Sequence, residues 1–203
     1  MVKGILFDFG GVLARTTTWE PRRCWEEKYH LHPGQLDTLV FDTQIATEAT
    51  LGLRPAAEIW EPVVRELSLS PSELAQLQDD FFSADAINQE LVAFINQVRP
   101  PLRIGILSNA FLNARDIFSR KYHLDDLFDT IVISAEVKLA KPDLHIYHLA
   151  AQKLGLQPGE IIFVDDVLKN VEGARLAGML AIHFRSTVEA IDMLKQVIDN
   201  HEA

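Results

Sequence analysis

Four polar stations in this sequence are of types that could do chemistry. Asp8 closes the run ILFD, Ser108-Asn109 closes IGILSN, Lys141 stands before Pro142-Asp143, and Asp165-Asp166 closes IIFVDD. Carboxylates are the ligands that hard divalent cations such as magnesium prefer. A hydroxyl, an amide and an ammonium are donors suited to phosphoryl oxygens. Gathered on one rim, these side chains would form a pocket for a divalent cation and a phosphate. The adjacent acids Asp165 and Asp166 point the same way, because they repel one another unless a cation or donors stabilise them. Taken singly, each station has a plainer reading: a strand-end acid bonding loop amides at Asp8, a turn or cap at Ser108-Asn109, and an N-cap for the following helix at Asp165-Asp166.

Such a rim needs elements that end in the right places. Five short apolar runs, at residues 2–7, 102–107, 131–133, 161–164 and 180–184, lack alternation with polar residues. That is the pattern of parallel strands buried on both faces by helices. Helical spacing separates the later runs. Leu144, Tyr147, Ala151 and Leu154 share one face of a helix, and Val188, Ile191, Leu194 and Ile198 share another. The expected fold is therefore α/β, a doubly wound parallel sheet of five strands, in which ligands gather at the carboxyl ends of the strands. All four polar stations lie at such ends or in the loops beyond them.

The first and second runs are too far apart for one crossover helix and its loops, so something is inserted between them. Residues 15–86 show helical patterns, such as Leu36, Leu39, Val40 and Trp60, Val63, Val64, Leu67, and no convincing strand. We expect a core domain of residues 1–14 and 87–203, with residues 15–86 forming a small helical cap. Pro33, Pro55 and Pro71 suit turns or the first turns of cap helices, Pro62 should kink or restart the helix it interrupts, and Pro100-Pro101 should end the helix before the second strand.

At 203 residues, 48% hydrophobic and 24% charged, the chain is long enough to bury a real core. A formal net charge of −10 without any basic run argues against general nucleic-acid binding. No apolar stretch approaches the ~20 residues of a membrane helix, and an acid interrupts what would be a signal peptide's apolar core. A soluble, cytoplasmic monomer is expected. The single cysteine, Cys24, has no partner for an internal disulfide or a CxxC site, and reads as a small core or cap residue.

In order, FDFGGVL, ILSNA, AKPD and FVDDVLKNVEGARLAG resemble the four motifs of the haloacid dehalogenase superfamily, and the helical insertion resembles its first type of cap. Within it, the chain is similar to small phosphatases of the α-glucose-1-phosphatase type and to the N-terminal domain of soluble epoxide hydrolase. The resemblance implies a magnesium-dependent phosphatase acting on a small phosphorylated metabolite, with a sugar phosphate among the candidates. Asp8 would then be the nucleophile that forms an aspartyl-phosphate. Asp8, the backbone carbonyl of Gly10 and Asp166 would hold magnesium, with Asp165 outside the first ring of ligands and Asn170 where many relatives have a further acid. Ser108, Asn109 and Lys141 would bind the phosphoryl group. Lys138 is a competing lysine, expected to be solvated.

Gly10 departs from the pattern. Most phosphatases of the superfamily carry there a second aspartate, which protonates the leaving group and then activates water. The dehalogenase branch also lacks it, but needs no metal and does not keep the acid pair that Asp165-Asp166 retains. A metal-independent 2-haloacid dehalogenase and a weakly catalytic binding domain are the competing readings. Glycine at position 10 could alternatively serve a positive-φ backbone. Elsewhere, His145 and His148 read as helix surface. Arg15, Arg22 and Arg23 read as a solvated hinge or as contacts to an anionic substrate, and Trp19, Trp25 and Trp60 as cap core or pocket lining.

Overall fold

A computed structural model of the protein describes residues 1–124 and 126–199. In chain order it comprises β1 (Gly4–Phe7), β2 (Ala14–Thr16), α1 (Glu20–Lys28), α2 (Gln35–Phe41), α3 (Gln44–Thr50), α4 (Glu61–Leu67), α5 (Pro71–Phe81), β3 (Asp85–Ile87), α6 (Gln89–Val98), β4 (Arg103–Ser108), α7 (Ala114–Arg120), β5 (Thr130–Ile133), α8 (Ser134–Val137), α9 (Leu144–Leu154), β6 (Ile161–Asp165), α10 (Leu168–Leu176), β7 (Leu180–His183) and α11 (Thr187–Asp199).

Five strands pair in the order β5-β4-β1-β6-β7, all parallel. The central strands β1, β4 and β6 are buried on both faces because their alternate side chains feed different cores, whereas the edge strands β5 and β7 are only partly buried, with Leu180 exposed. Ile5 and Phe7 pack with Ile104, Ile106, Ile162 and Val164 under α6, α7 and α11. Leu6 packs with Leu107, Val132 and Phe163 under α9 and α10. Burying side chains of this size contributes roughly 1.5–3 kcal/mol apiece, so a strand apolar at every position is what this sheet selects. Neighbours in sequence separate to opposite sides of β1, and the strand order reverses there. The carboxyl end of β1, where the chain reaches Asp8, is the crevice in which open sheets of this kind bind ligands.

The insertion folds around a core of its own, in which Trp25, Leu36, Val40, Ile59, Trp60, Val63, Leu77 and Phe81 are buried together. Local chemistry fixes its helices. Ser70 and Glu73 form a reciprocal capping box at the start of α5, with Pro71 in its first turn. Pro62 restarts rather than kinks its helix, because α4 begins at Glu61 directly after a 3-10 turn that ends at Trp60. Among the described residues, no helix is long and apolar enough to cross a membrane.

Several sequence expectations need correction. The region expected to lack strands opens and closes on the antiparallel pair β2 and β3. Three residues each are too short to show a period, and their partners lie about seventy positions away. Leu144 and Val188 are exposed, although Tyr147, Ala151 and Leu154 of the same expected face of α9 are buried together with Ile146 and Ala150, and Leu194 of α11 is buried together with Ala190. Cys24 is exposed on α1. Trp25 and Trp60 are core, whereas Trp19 is exposed. Arg22 is neither solvated nor free for a ligand. It is buried, donates from Nε to Phe81 O at 2.9 Å, pairs with Asp37, and stacks over Phe81.

Candidate active site

Asp8 follows β1 directly, and its backbone N–H donates to Val164 O of the neighbouring strand at 2.8 Å. The next ring, Phe9, stacks on Phe118 at 3.9 Å between centroids and lies against Tyr122, which anchors the loop behind the acid. Lys141 enters from the loop before α9 with a fully buried side chain. Its Nζ lies 2.9 Å from Asp8 Oδ1 and 2.6 Å from Asp165 Oδ2. The Phe9 N–H also donates to Asp8 Oδ1, at 2.7 Å.

Asp165, also fully buried, is saturated by protein donors. Oδ1 accepts from Val167 N at 2.8 Å and from Asn170 Nδ2 at 3.1 Å, while Oδ2 takes Lys141. Asn170 is thereby a holder of Asp165, and the Tyr147 hydroxyl holds Asn170 in turn by donating to its carbonyl at 2.8 Å. Asp166 is the exposed member of the acid pair. Ligand oxygens of Asp8, Asp165 and Asp166 lie within 4.8 Å of one another.

The three acids face a single ammonium, and burial makes the excess negative charge costly. Burial pushes the Asp8 carboxyl up to about 7, against the pull of Lys141 and with the push of Asp165. Asp166 is raised as well, first by burial and then by Asp165. A divalent cation would relieve that excess of negative charge, and the donor set of oxygen atoms suits magnesium. At Gly11 the φ of +76° favours glycine, and a Cβ there would lie 2.1 Å from Asp166 Oδ2, so this carboxylate would have to swing aside. Gly10 is different, with no positive φ and open space around the position of a Cβ.

Ser108 is buried at the end of β4, facing the same rim. The side chain of Asn109 does something the sequence did not disclose. Nδ2 donates to Lys141 O at 2.9 Å and Oδ1 accepts from Lys141 N at 2.8 Å, a two-point clamp on the lysine's backbone. One of the two N–H groups of its amide is thus engaged, and the second and the backbone N–H remain as donors. Lys138 is exposed, as expected, and so are His145 and His148. Sequence reasoning missed Gly11, Tyr147 and His183. The Nε2 of His183 lies 2.9 Å from Asp166 O, and since a carbonyl only accepts, Nε2 carries the proton. The register that sets Asp165 opposite His183 places it there, which no motif announces.

The insertion bears on this rim at two points. Ser134 Oγ donates to Thr50 O at the end of α3 at 2.7 Å, and Phe111, beyond β4, packs against the insertion's core.

Comparison with known proteins bears on the family and the fold. The sequence profile of the haloacid dehalogenase-like hydrolases matches residues 2–178. A phosphatase of Mycobacterium tuberculosis is 30% identical over 196 residues, 89% of this chain and 86% of its own length. A sesquiterpene phosphatase of Aspergillus oryzae is 26% identical over 213 residues, 97% of this chain and 96% of its own. In fold, the chain is similar to a haloacid dehalogenase family enzyme of Bacteroides thetaiotaomicron solved with magnesium and inorganic phosphate, with a TM-score of 0.75 at 21% identity over 92% of this chain and 96% of that one.

Proposed function

Because this chain belongs to the haloacid dehalogenase-like hydrolases and its relatives are phosphatases, we propose that it hydrolyses a small-molecule phosphate monoester through an aspartyl-phosphate on Asp8. Magnesium would be held by Asp8, Asp166 and the backbone carbonyl of Gly10, and Ser108, the Asn109 N–H and Lys141 would receive the phosphoryl oxygens. The carrying observation is the buried Lys141 ammonium between Asp8 and Asp165, at 2.9 and 2.6 Å, with Asp166 beside them.

Each group then has a task. Asp8 attacks phosphorus, and the bond to the leaving oxygen breaks. Lys141 favours the ionised form of Asp8 against the push of burial and offsets the charge of the approaching anion. Asp165 and Asn170 fix the ammonium, and the Asn109 clamp fixes its backbone. Magnesium, when bound, supplies the positive charge that lets a carboxylate and a phosphate dianion approach each other. Water finally attacks the aspartyl-phosphate at phosphorus, which returns Asp8 and releases inorganic phosphate. We assign residues 15–86 as the cap that covers the rim and chooses the substrate, a sugar phosphate being one class that fits.

The acid cluster argues against a metal-independent dehalogenase, which gains nothing from three carboxylates within 4.8 Å. A panel of phosphate esters assayed with magnesium and with a chelator tests the proposal. Hydrolysis that vanishes on chelation is expected. Full activity in chelator, or release of halide from a 2-haloacid, would overturn it.

A further inference from the structure

Transfer of a phosphoryl group to Asp8 expels an oxyanion, which needs a proton unless it is already a weak base. Among the described residues, the candidates at this rim to donate one are these. Lys141 Nζ is engaged by Asp8 and Asp165, and Asp165 is saturated by Lys141, Val167 and Asn170. The His183 Nε2 proton goes to Asp166 O, and the Asp166 carboxylate would be taken up by magnesium. The loop that follows Asp8 reads Phe9-Gly10-Gly11-Val12-Leu13 and carries no acid. On the β2–β3 pair beyond it the acid is Asp85, whose Oδ1 accepts from Thr16 Oγ1 at 2.7 Å and faces Arg22 at 3.5 Å. Thr17 Oγ1 donates to Ala84 O, and a guanidinium such as that of Arg15 keeps its proton.

Position 10 is where an acid could stand. It lies two residues from Asp8, is exposed, needs no positive φ, and a Cβ there would meet nothing within 4 Å. The glycine is therefore not demanded by the backbone, unlike Gly11 next to it.

Resting on the phosphatase reading above, we propose that the substrates of this enzyme are phosphates whose leaving group departs as a weakly basic anion: acyl, phenolic or anomeric phosphates rather than simple alkyl esters. The Asp8 carboxylate bonds to phosphorus, and the P–O bond to the leaving group breaks with its electron pair staying on oxygen. That anion takes its proton from solvent. Water then forms the new P–O bond, the Asp8–phosphorus bond breaks, and the water's proton leaves with the phosphate or the solvent. General acid help is typically worth roughly 10²–10⁴ in rate, so its absence selects among leaving groups rather than abolishing turnover.

The test is kcat/KM over a series from acetyl phosphate through p-nitrophenyl and phenyl phosphate to ethyl phosphate, since this ratio reports P–O cleavage even where breakdown of the aspartyl-phosphate limits kcat. For the wild type it should fall steeply as the leaving group becomes more basic, with ethyl phosphate slower than p-nitrophenyl phosphate by more than intrinsic reactivity demands of a site with an acid. Gly10→Asp should raise the ratio of the ethyl to the p-nitrophenyl rate by roughly 10²–10⁴, and Gly10→Asn, which fills the same space without a proton to give, should leave that ratio where the wild type has it. Thermal melts of both variants confirm that they fold. A flat wild-type series, or equal gains from Asn and Asp, would overturn the proposal. If no member is hydrolysed, acetyl phosphate included, the phosphatase reading itself falls and takes this inference with it; a flat but Asp8-dependent series removes only the inference.

Discussion

Lys141 and Arg22 are both buried, and each faces two carboxylates, yet their surroundings differ in one respect that decides what each can do. Arg22 at the base of the insertion meets Asp37, Asp85, Thr16 Oγ1 and Phe81 O, and its plane stacks on Phe81 at 3.9 Å. The guanidinium fork is engaged from every side by fixed protein groups, as its rigid geometry favours. Lys141 is a point charge between Asp8 and Asp165 at a rim that also carries Asp166, so the acids there outnumber the cation. One cluster is closed within the protein. The other is left short of positive charge at the surface where a cation and an anion must enter. Burial of a cation between acids therefore marks a site only when an acid of the cluster, here Asp166, also reaches a surface that a ligand can approach.

Removing each cation should separate the two roles. Lys141→Met is expected to lower turnover by about 10²–10³ or more, the scale for losing a positioned donor at a developing charge, in enzyme that still melts cooperatively. Arg22→Met should instead cost about 3 kcal/mol of stability, the low end for breaking a buried pair because Asp37 and Asp85 keep partial exposure. Its kcat at low temperature should stay close to wild type. Chemical denaturation and steady-state kinetics on both variants check this, and a stable Arg22→Met would mean that the insertion does not depend on that cation.

A smaller difference sharpens the acid side. Asp166→Ala should lose magnesium affinity outright, whereas Asn170→Ala, which only frees Asp165 from one donor, should weaken it by about 10–100-fold, as outer partners do. Isothermal titration with magnesium reads both without any assay of turnover. Equal losses would show that Asp165 is not the fixed member of the pair.

How much of this was legible in the sequence depends on the range of each interaction. The strand-end acids could be found because a parallel sheet writes its strands as unbroken apolar runs, and the residue that ends a run is plain to see. Gly10 and Gly11 look alike in FDFGGVL. Only the folded loop, in which Gly11 has a φ of +76° and lies against Asp166 while Gly10 has no positive φ, tells them apart. The Asn109 clamp, the hold of Tyr147 on Asn170 and the bond of His183 to Asp166 O are likewise products of register and loop closure. Arg22 misled because an arginine near a motif of acids looks like an anion contact until the insertion's core is seen to enclose it.

The central claim is that Asp8 carries the phosphoryl group, and trapping it tests this most directly. Enzyme mixed with excess p-nitrophenyl phosphate and magnesium, quenched in acid within one turnover and mapped by mass spectrometry, should carry a phosphoryl adduct on the peptide containing Asp8, and Asp8→Asn should carry none and release no nitrophenol. Nitrophenol release by Asp8→Asn at the wild-type rate, or an adduct on any other residue, would contradict the account.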